Sequence, residues 1–132
     1  MVLLVEEGKR VERAPNTVKL ISCGKGRNMP QGDLHVDVST FMTDDFDYRL
    51  TGLDPYVQNS LFKYHHRFIR MLAFTILDMG IESGVVVVVN CAAGMRRSVA
   101  AVELLAKRFA EIRPDIRVIV QHRGLEASWP VF

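Results

Sequence analysis

The chain has 132 residues, 48% hydrophobic and 24% charged, which suits one domain with a real hydrophobic core. The formal net charge of +2 permits nucleic-acid binding without requiring it, since nucleic-acid binders usually concentrate basic residues on one face. Two cysteines are too few for a disulfide scaffold, no Cys/His cluster indicates zinc, and no apolar run approaches the ~20 residues of a membrane span. We therefore expect a reduced, cytoplasmic protein without membrane, metal or cofactor.

The N-terminal half predicts two strands and a loop. Residues 1–16 are interpreted as an arm or a strand, residues 17–126 as the domain, and residues 127–132 as a tail. A strand ending at Cys23 precedes a basic loop that contains Gly24, Lys25, Gly26 and Arg27. The alternation over residues 33–41 predicts a half-buried strand, and residues 43–55 are turn-rich and acidic. The loop aspartates match no closed set of metal ligands; they are Asp44, Asp45 and Asp47.

The C-terminal half alternates helices and strands. Apolar residues at three- and four-residue steps predict a helix from Tyr56 to about Met79; they are Val57, Leu61, Tyr64, Phe68, Met71 or Leu72, and Ile76. The β-branched run at residues 85–89 predicts a buried strand. A helix is predicted over residues 97–112, ended by Pro114, with Val99, Val102, Leu105 and Phe109 on its apolar side, and a last strand over residues 115–123.

This order predicts an α/β layered fold with a mixed or mostly parallel sheet and flanking helices. Ligands bind such sheets beyond the carboxyl ends of their strands. The loops after Cys23, Val89 and Val120 are the candidates for that edge.

The segment from Cys91 to Ser98 carries the strongest chemical signal. Small residues after a buried strand let backbone N–H groups approach an anion, and the helix that follows adds the partial positive charge of its N-terminus. Arg97 can offer a bidentate fork to phosphate oxygens. The predicted phosphate site is Cys91, Ala92, Ala93, Gly94, Met95, Arg96, Arg97 and Ser98. A tight strand-to-helix turn is the structural alternative, and Cys91 is equally interpretable as a thiolate or as an inert buried cysteine.

Residues 85–98, "VVVVVNCAAGMRRS", resemble the signature loop of tyrosine and dual-specificity phosphatases. That resemblance implies Cys91 as nucleophile, Arg97 as the phosphate grip and Ser98 as the group that assists the leaving thiolate, with Asp54 as the upstream candidate for the acid. Asn90 stands where those phosphatases normally have His, and a predicted strand follows the helix where they generally continue with helices.

A second resemblance covers more of the chain. "SCGKGRNMP", "VDV", "LTGLDPYV", "CAAGMRRSV" and "QHRGLE", in this order between Ser22 and Glu126, resemble blocks of the C-terminal domain of the RapZ family of bacterial proteins. The resemblance implies a sensor and adaptor that binds an amino-sugar phosphate (glucosamine 6-phosphate) and small RNAs, forms oligomers and recruits an endoribonuclease. The implied partners here are a phosphorylated small molecule or inorganic phosphate or sulfate, RNA as a second candidate, and a second copy of the chain.

The same resemblance implies which residues surround the phosphate loop. They are Gly24, Lys25, Gly26, Arg27, Thr51, Gly52, Asp54, His122 and Arg123. His122 is equally interpretable as a structural hydrogen-bonding residue. A basic stripe on the long helix is a candidate RNA contact or an ordinary solvated face; it consists of Lys63, His66, Arg67 and Arg70. Trp129 and Phe132 could pack on the core or on a second subunit.

Overall fold

A computed structural model describes residues 4–6, 9–11, 13–26, 28–44 and 49–128. Five residues singled out from the sequence lie outside this part of the chain: Arg27, Asp45, Asp47, Trp129 and Phe132. The N-terminal segment contains two short antiparallel strands, β1 (Leu4–Glu6) and β2 (Lys9–Val11).

The main sheet confirms the predicted α/β fold. Its strands are β3 (Thr17–Gly24), β4 (Leu34–Asp37), β5 (Val85–Cys91) and β6 (Arg117–His122). All pairings are parallel, and the spatial order is β4-β5-β3-β6. The run of β-branched residues in β5 is buried along its whole length because this strand lies inside the sheet.

Two long helices pack together on one face of the sheet, α1 (Pro55–Leu77) and α2 (Arg97–Ile112). The four apolar positions predicted for α2 are all buried. Val102, Leu105 and Phe109 join Val18 and Leu20 of β3 and Val87 of β5 in one hydrophobic core. Each fully buried Val, Leu or Ile contributes about 1.5–3 kcal/mol, so this face supplies much of the stability that positions the loops.

Helix α1 departs from the predicted stripe at Tyr64, and Leu72 rather than Met71 takes the position that the sequence left open between them. Leu72 is buried, whereas Met71 is 59% exposed, and Tyr64 is 40% exposed. The backbone of His65 is non-helical, with φ −129° and ψ 21°, and this kink shifts the phase of the stripe. The ring of His65 stacks on Phe41 at 4.1 Å between centroids, and the Tyr64 hydroxyl lies 2.6 Å from Asp44 Oδ1 instead of entering the core.

Two of the predicted strands extend beyond the strands that the structure contains. The strand predicted over residues 33–41 ends at Asp37, because the Asp37 carboxylate accepts the backbone N–H of Ser39 (2.9 Å) and turns the chain. The last strand covers Arg117–His122 and leads directly into a short helix, α3 (Arg123–Ser128). A short 3-10 turn at Ile81–Ser83 precedes β5. In the described part of the chain, no helix combines the length and apolarity needed to span a membrane.

Candidate phosphate site

The parallel sheet brings the predicted loops to one edge. Because all strands of the main sheet run in the same direction, their carboxyl ends, at Gly24, Asp37, Cys91 and His122, share that edge. Gly24 pairs with Cys91 in the register between β3 and β5. The backbone N–H of Lys25 donates to the Cys91 carbonyl (2.9 Å), which extends the pairing by one step beyond β3.

The sulfur of Cys91 is surrounded by hydrogen-bond donors. The backbone N–H groups of Gly94 and Ser98 donate to Sγ at 3.3 and 3.4 Å. The Ser98 hydroxyl lies 3.2 Å from Sγ and can donate to it once the thiol is ionised. Cys91 is only 4% exposed and Ser98 is fully buried, so water does not compete strongly for these bonds.

These donors change the acidity of the thiol. Burial alone would raise the pKa of Cys91, but the Ser98 hydroxyl and the backbone N–H groups of Ser98, Gly94 and Arg96 outweigh it, so the pKa lies below its ordinary value. The sequence left open whether Cys91 is a thiolate or an inert buried cysteine, and its surroundings make the thiol more acidic than an ordinary cysteine.

The sulfur also serves the helix that follows. Helix α2 starts after Arg96, which makes no side-chain capping bond. The first N–H groups of a helix have no partner within it, and Ser98 is the second helical residue, the usual recipient of a capping bond. Cys91 Sγ therefore takes the role that a Ser or Asp side chain has at most helix N-termini.

Arg97 is anchored to the neighbouring strand connection. Its Nε–H donates to the Phe41 carbonyl (2.8 Å). This bond occupies one edge of the guanidinium and leaves the two terminal nitrogens as the group that can meet an anion. Ala92 and Ala93 of the loop are exposed, so the loop backbone is open to solvent beside the buried sulfur.

Gly94 holds three chain segments together. Its φ is +72°, and a Cβ at this position would lie 2.3 Å from the backbone nitrogen of Gly24. On its other side, a Cβ on Gly124 would lie 2.2 Å from the Gly94 carbonyl oxygen. The loops that follow β3 and β5 and the start of α3 thus meet backbone to backbone, which only glycine permits. This contact unites three of the sequence blocks quoted above.

The block from Thr51 to Asp54 supports the phosphate loop from the side of α1. The N–H of Gly52 donates to the Met95 carbonyl (2.9 Å), and a Cβ on Gly52 would lie 2.3 Å from the Arg96 carbonyl oxygen. The Thr51 hydroxyl accepts the N–H of Leu53 (3.2 Å). Asp54 caps α1 by accepting the N–H of Tyr56 (2.8 Å), so its carboxylate has a structural role.

His122 has both ring nitrogens engaged. Nδ1 lies 2.6 Å from the buried Ser22 hydroxyl, and Nε2 lies 3.0 Å from a carboxylate oxygen of Glu103 on α2. This geometry corresponds to the structural interpretation, because no ring nitrogen is left for a ligand. His122 instead ties β6 to β3 and to α2.

Lys25 is also engaged. Its ammonium lies 2.7 Å from an Asp37 carboxylate oxygen. This contact, together with hydrogen bonds from Ser39, lowers the pKa of Asp37 to about 2. The charge of Lys25 is therefore largely offset by Asp37.

The predicted basic stripe lies along α1. Lys63, Arg67 and Arg70 are exposed and His66 is half-buried. Lys63 lies 3.6 Å from an Asp44 carboxylate oxygen, and the Arg70 guanidinium lies 5.9 Å from the centre of the Phe62 ring. The stripe is thus a solvated face that Asp44 partly neutralises.

Sequence patterns did not indicate three residues that shape the site. Phe41 contributes a backbone carbonyl, which no residue type reveals, and Glu103 reaches His122 from the middle of α2. The Asn90 amide lies 3.3 Å from the Val36 carbonyl, where it links β5 to β4. No spacing rule connects residues that meet only through sheet order.

No protein-family model matches the chain, and no curated protein is significantly similar to it. Among the residues that the structure describes, no group of three or more His, Cys, Asp or Glu side chains is arranged to hold a metal.

Proposed function

We propose that the loop from Cys91 to Ser98 binds the phosphate group of a small phosphorylated molecule. The observation that carries this proposal is the Arg97 guanidinium, which is anchored through Nε beside the start of α2, where Arg96 makes no side-chain capping bond. Backbone N–H groups at a helix N-terminus and a fixed guanidinium are the two features that most often hold phosphate in proteins.

The resemblance to the RapZ C-terminal domain suggests what this molecule is and what binding achieves. An amino-sugar phosphate is the first candidate and inorganic phosphate the simplest one. Binding would act as a signal to a partner, with RNA and a second copy of the chain as the candidates. Two free cysteines support a reducing compartment such as the cytoplasm.

The direct test is a calorimetric titration of inorganic phosphate and of glucosamine 6-phosphate. Arg97→Ala removes the guanidinium and should weaken binding roughly thirty- to over a hundredfold, because charge-assisted hydrogen bonds of about 2–3 kcal/mol are lost. Cys91→Ser keeps a small polar side chain and should change the affinity much less.

Arg117→Gln is the matched control for charge. Arg117 is an exposed arginine at the start of β6, at the opposite end of the strand from the phosphate loop. The Arg117→Gln variant should bind phosphate with the same affinity as the unmodified protein. Equal affinity of Arg97→Ala and unmodified protein would contradict the loop as the anion site.

RNA binding by this protein would be electrostatic. Affinity should fall steeply with salt as phosphate contacts release counterions. The double change Arg67→Ala, Arg70→Ala tests the stripe on α1, with retention of a labelled RNA on a filter as the measurement. Unchanged retention would exclude this face.

A second candidate function has its own supporting observation. The lowered pKa of Cys91 and the Ser98 hydroxyl beside its sulfur suit a cysteine-dependent phosphatase. The capping role of Asp54 leaves that candidate without its proposed acid. Turnover of an aryl phosphate by the unmodified protein, lost in Cys91→Ser, would favour this candidate; no turnover would favour binding alone.

A further inference from the structure

A cleft of about 240 Å³ lies between α1 and the second half of α2. Phe62, Ile69 and Leu104 form its apolar part. The rise along an α-helix is about 1.5 Å per residue, so Arg108 in this cleft lies roughly 16 Å along α2 from Arg97. The cleft is therefore separate from the phosphate loop.

The cleft is lined by more positive than negative charge. Arg70, Lys107 and Arg108 contribute three cations, against one carboxylate from Glu111. Glu111 is already paired with Arg108 Nη1 at 3.2 Å. Within the described part of the chain, Arg70 and Lys107 have no carboxylate partner, so the cleft attracts anions.

One donor in the cleft lacks a partner. Arg108 Nε is buried and has no hydrogen-bond acceptor among the described residues. Buried N–H groups are nearly always paired, and each exception calls for an explanation. The Arg108 side chain as a whole is 28% exposed, so an anion between Arg108 and Lys107 can reach it, and a shift of this side chain toward the anion would give Nε its acceptor.

We propose that this cleft is a second binding site, for a small organic anion with a planar ring. The anionic group, a phosphate or a carboxylate, contacts Arg108 and Lys107. The ring packs on Phe62, whose face already lies near the Arg70 guanidinium. The volume is below the range that holds drug-sized ligands, so the ligand is a compact one-ring molecule.

The test uses the full chain and two-dimensional amide NMR with phenylphosphonate, benzoate and inorganic phosphate as probes. Phenylphosphonate should shift the amides of residues 59–70 and 104–111 in a saturable way. Arg108→Gln and Lys107→Gln should each weaken this response roughly tenfold, because a charged hydrogen bond is lost. Arg117→Gln, with the same change in charge, should not weaken it. Inorganic phosphate, which has no ring, should bind the cleft more weakly.

Comparing benzoate with phenylphosphonate shows which anionic group the cleft accepts. If both probes bind, the cleft accepts either group; if only one binds, its anionic group is the one that the cleft accepts. Amides of residues 91–98 report on the phosphate loop in the same spectra. Lack of binding at the cleft and lack of binding at the loop can therefore be observed independently. Absence of saturable shifts in the cleft would overturn the proposal. So would equal affinity in both cleft variants and the unmodified protein, or equal cleft affinity for inorganic phosphate and phenylphosphonate.

Discussion

Cys23 and Cys91 lie at the carboxyl ends of neighbouring strands, and the two residues are buried to nearly the same degree, 5% and 4% exposed. Their pKa values nevertheless shift in opposite directions. Burial raises the pKa of Cys23, and the nearby positive charge of Arg123 offsets this only in part. Cys91 is followed by a loop and a helix that direct N–H groups at its sulfur, and its pKa is lowered. The direction of the surrounding dipoles, rather than burial, makes Cys91 the more acidic of the two thiols.

Breaking the loop backbone should have the largest effect on this difference. In Gly94→Ala, the new methyl group would overlap the Gly24 backbone nitrogen in a conformation that L-residues disfavour. We expect a loss of about 2–4 kcal/mol of unfolding free energy, measured by urea denaturation. The pKa of Cys91 should also rise, since the Gly94 N–H moves away from the sulfur.

Gly26→Ala is the matched control for this change. No atom lies within 4 Å of a Cβ at Gly26, so its stability should be close to that of the unmodified protein. A similar loss in both variants would mean that general backbone stiffness, and not the contact with Gly24, explains the effect.

The pH dependence of stability should separate the two cysteines. The folded-state pKa of Cys91 lies below the unfolded value near 9.0, so its contribution is present above that value and is lost as pH falls through the folded pKa. The folded-state pKa of Cys23 is raised, so its contribution is present below the same value and is lost as pH rises through the folded pKa.

Unfolding free energies measured from pH 6 to 10 should therefore change in opposite senses. Relative to Cys91→Ser, the unmodified protein should gain stability with rising pH below 9.0, with a slope of at most about 1.4 kcal/mol per pH unit. Relative to Cys23→Ser, it should lose stability above 9.0. Thiolate absorbance near 240 nm in each single variant titrates the remaining cysteine. If Cys23 and Cys91 titrated at the same pH, the opposite pKa shifts of the two cysteines would be contradicted.

A smaller effect is expected from removing the hydroxyl beside Cys91. Ser98→Ala should raise the pKa of Cys91 and cost about 1 kcal/mol, the usual net value of one hydrogen bond. Ser22→Ala is the control, because Ser22 is equally buried but bonds to His122. It should cost a similar amount and leave the Cys91 titration unchanged. If Ser22→Ala also shifted the titration of Cys91, the phosphate loop would be responding to any lost hydrogen bond at this edge of the sheet and not to the Ser98 hydroxyl in particular.

Periodic patterns predicted the elements that pack through one apolar side. Helix α2 was predicted with its observed bounds because four apolar residues lie on one side and Pro114 follows. The order of strands and helices predicted the α/β fold and placed the loop after Val89 at the carboxyl edge of the sheet. Each of these features depends on residues that are close together in the chain, and such residues form a pattern that can be recognised in the sequence.

Contacts across the sheet could not be predicted in this way. The kink at His65 depends on the Phe41 ring, and the end of β4 depends on an Asp37 hydrogen bond. The lowered pKa of Cys91 depends on N–H directions that exist only once α2 is docked. Each is a consequence of tertiary packing, for which a single sequence has no periodic signal.

The pairing of β3 with β5 has a consequence for how the chain folds. Val18 pairs with Val85, so the central ladder joins parts of the chain that are far apart in sequence. During synthesis, β3 would leave the ribosome seconds before β5 is made, at rates of roughly 5–20 residues per second. Such non-local parallel pairing makes folding slow compared with helical bundles of this size. The apolar side chains of Val18 and Leu20 must therefore remain without their partner strand until β5 has been made. A chaperone would protect the nascent chain during this time.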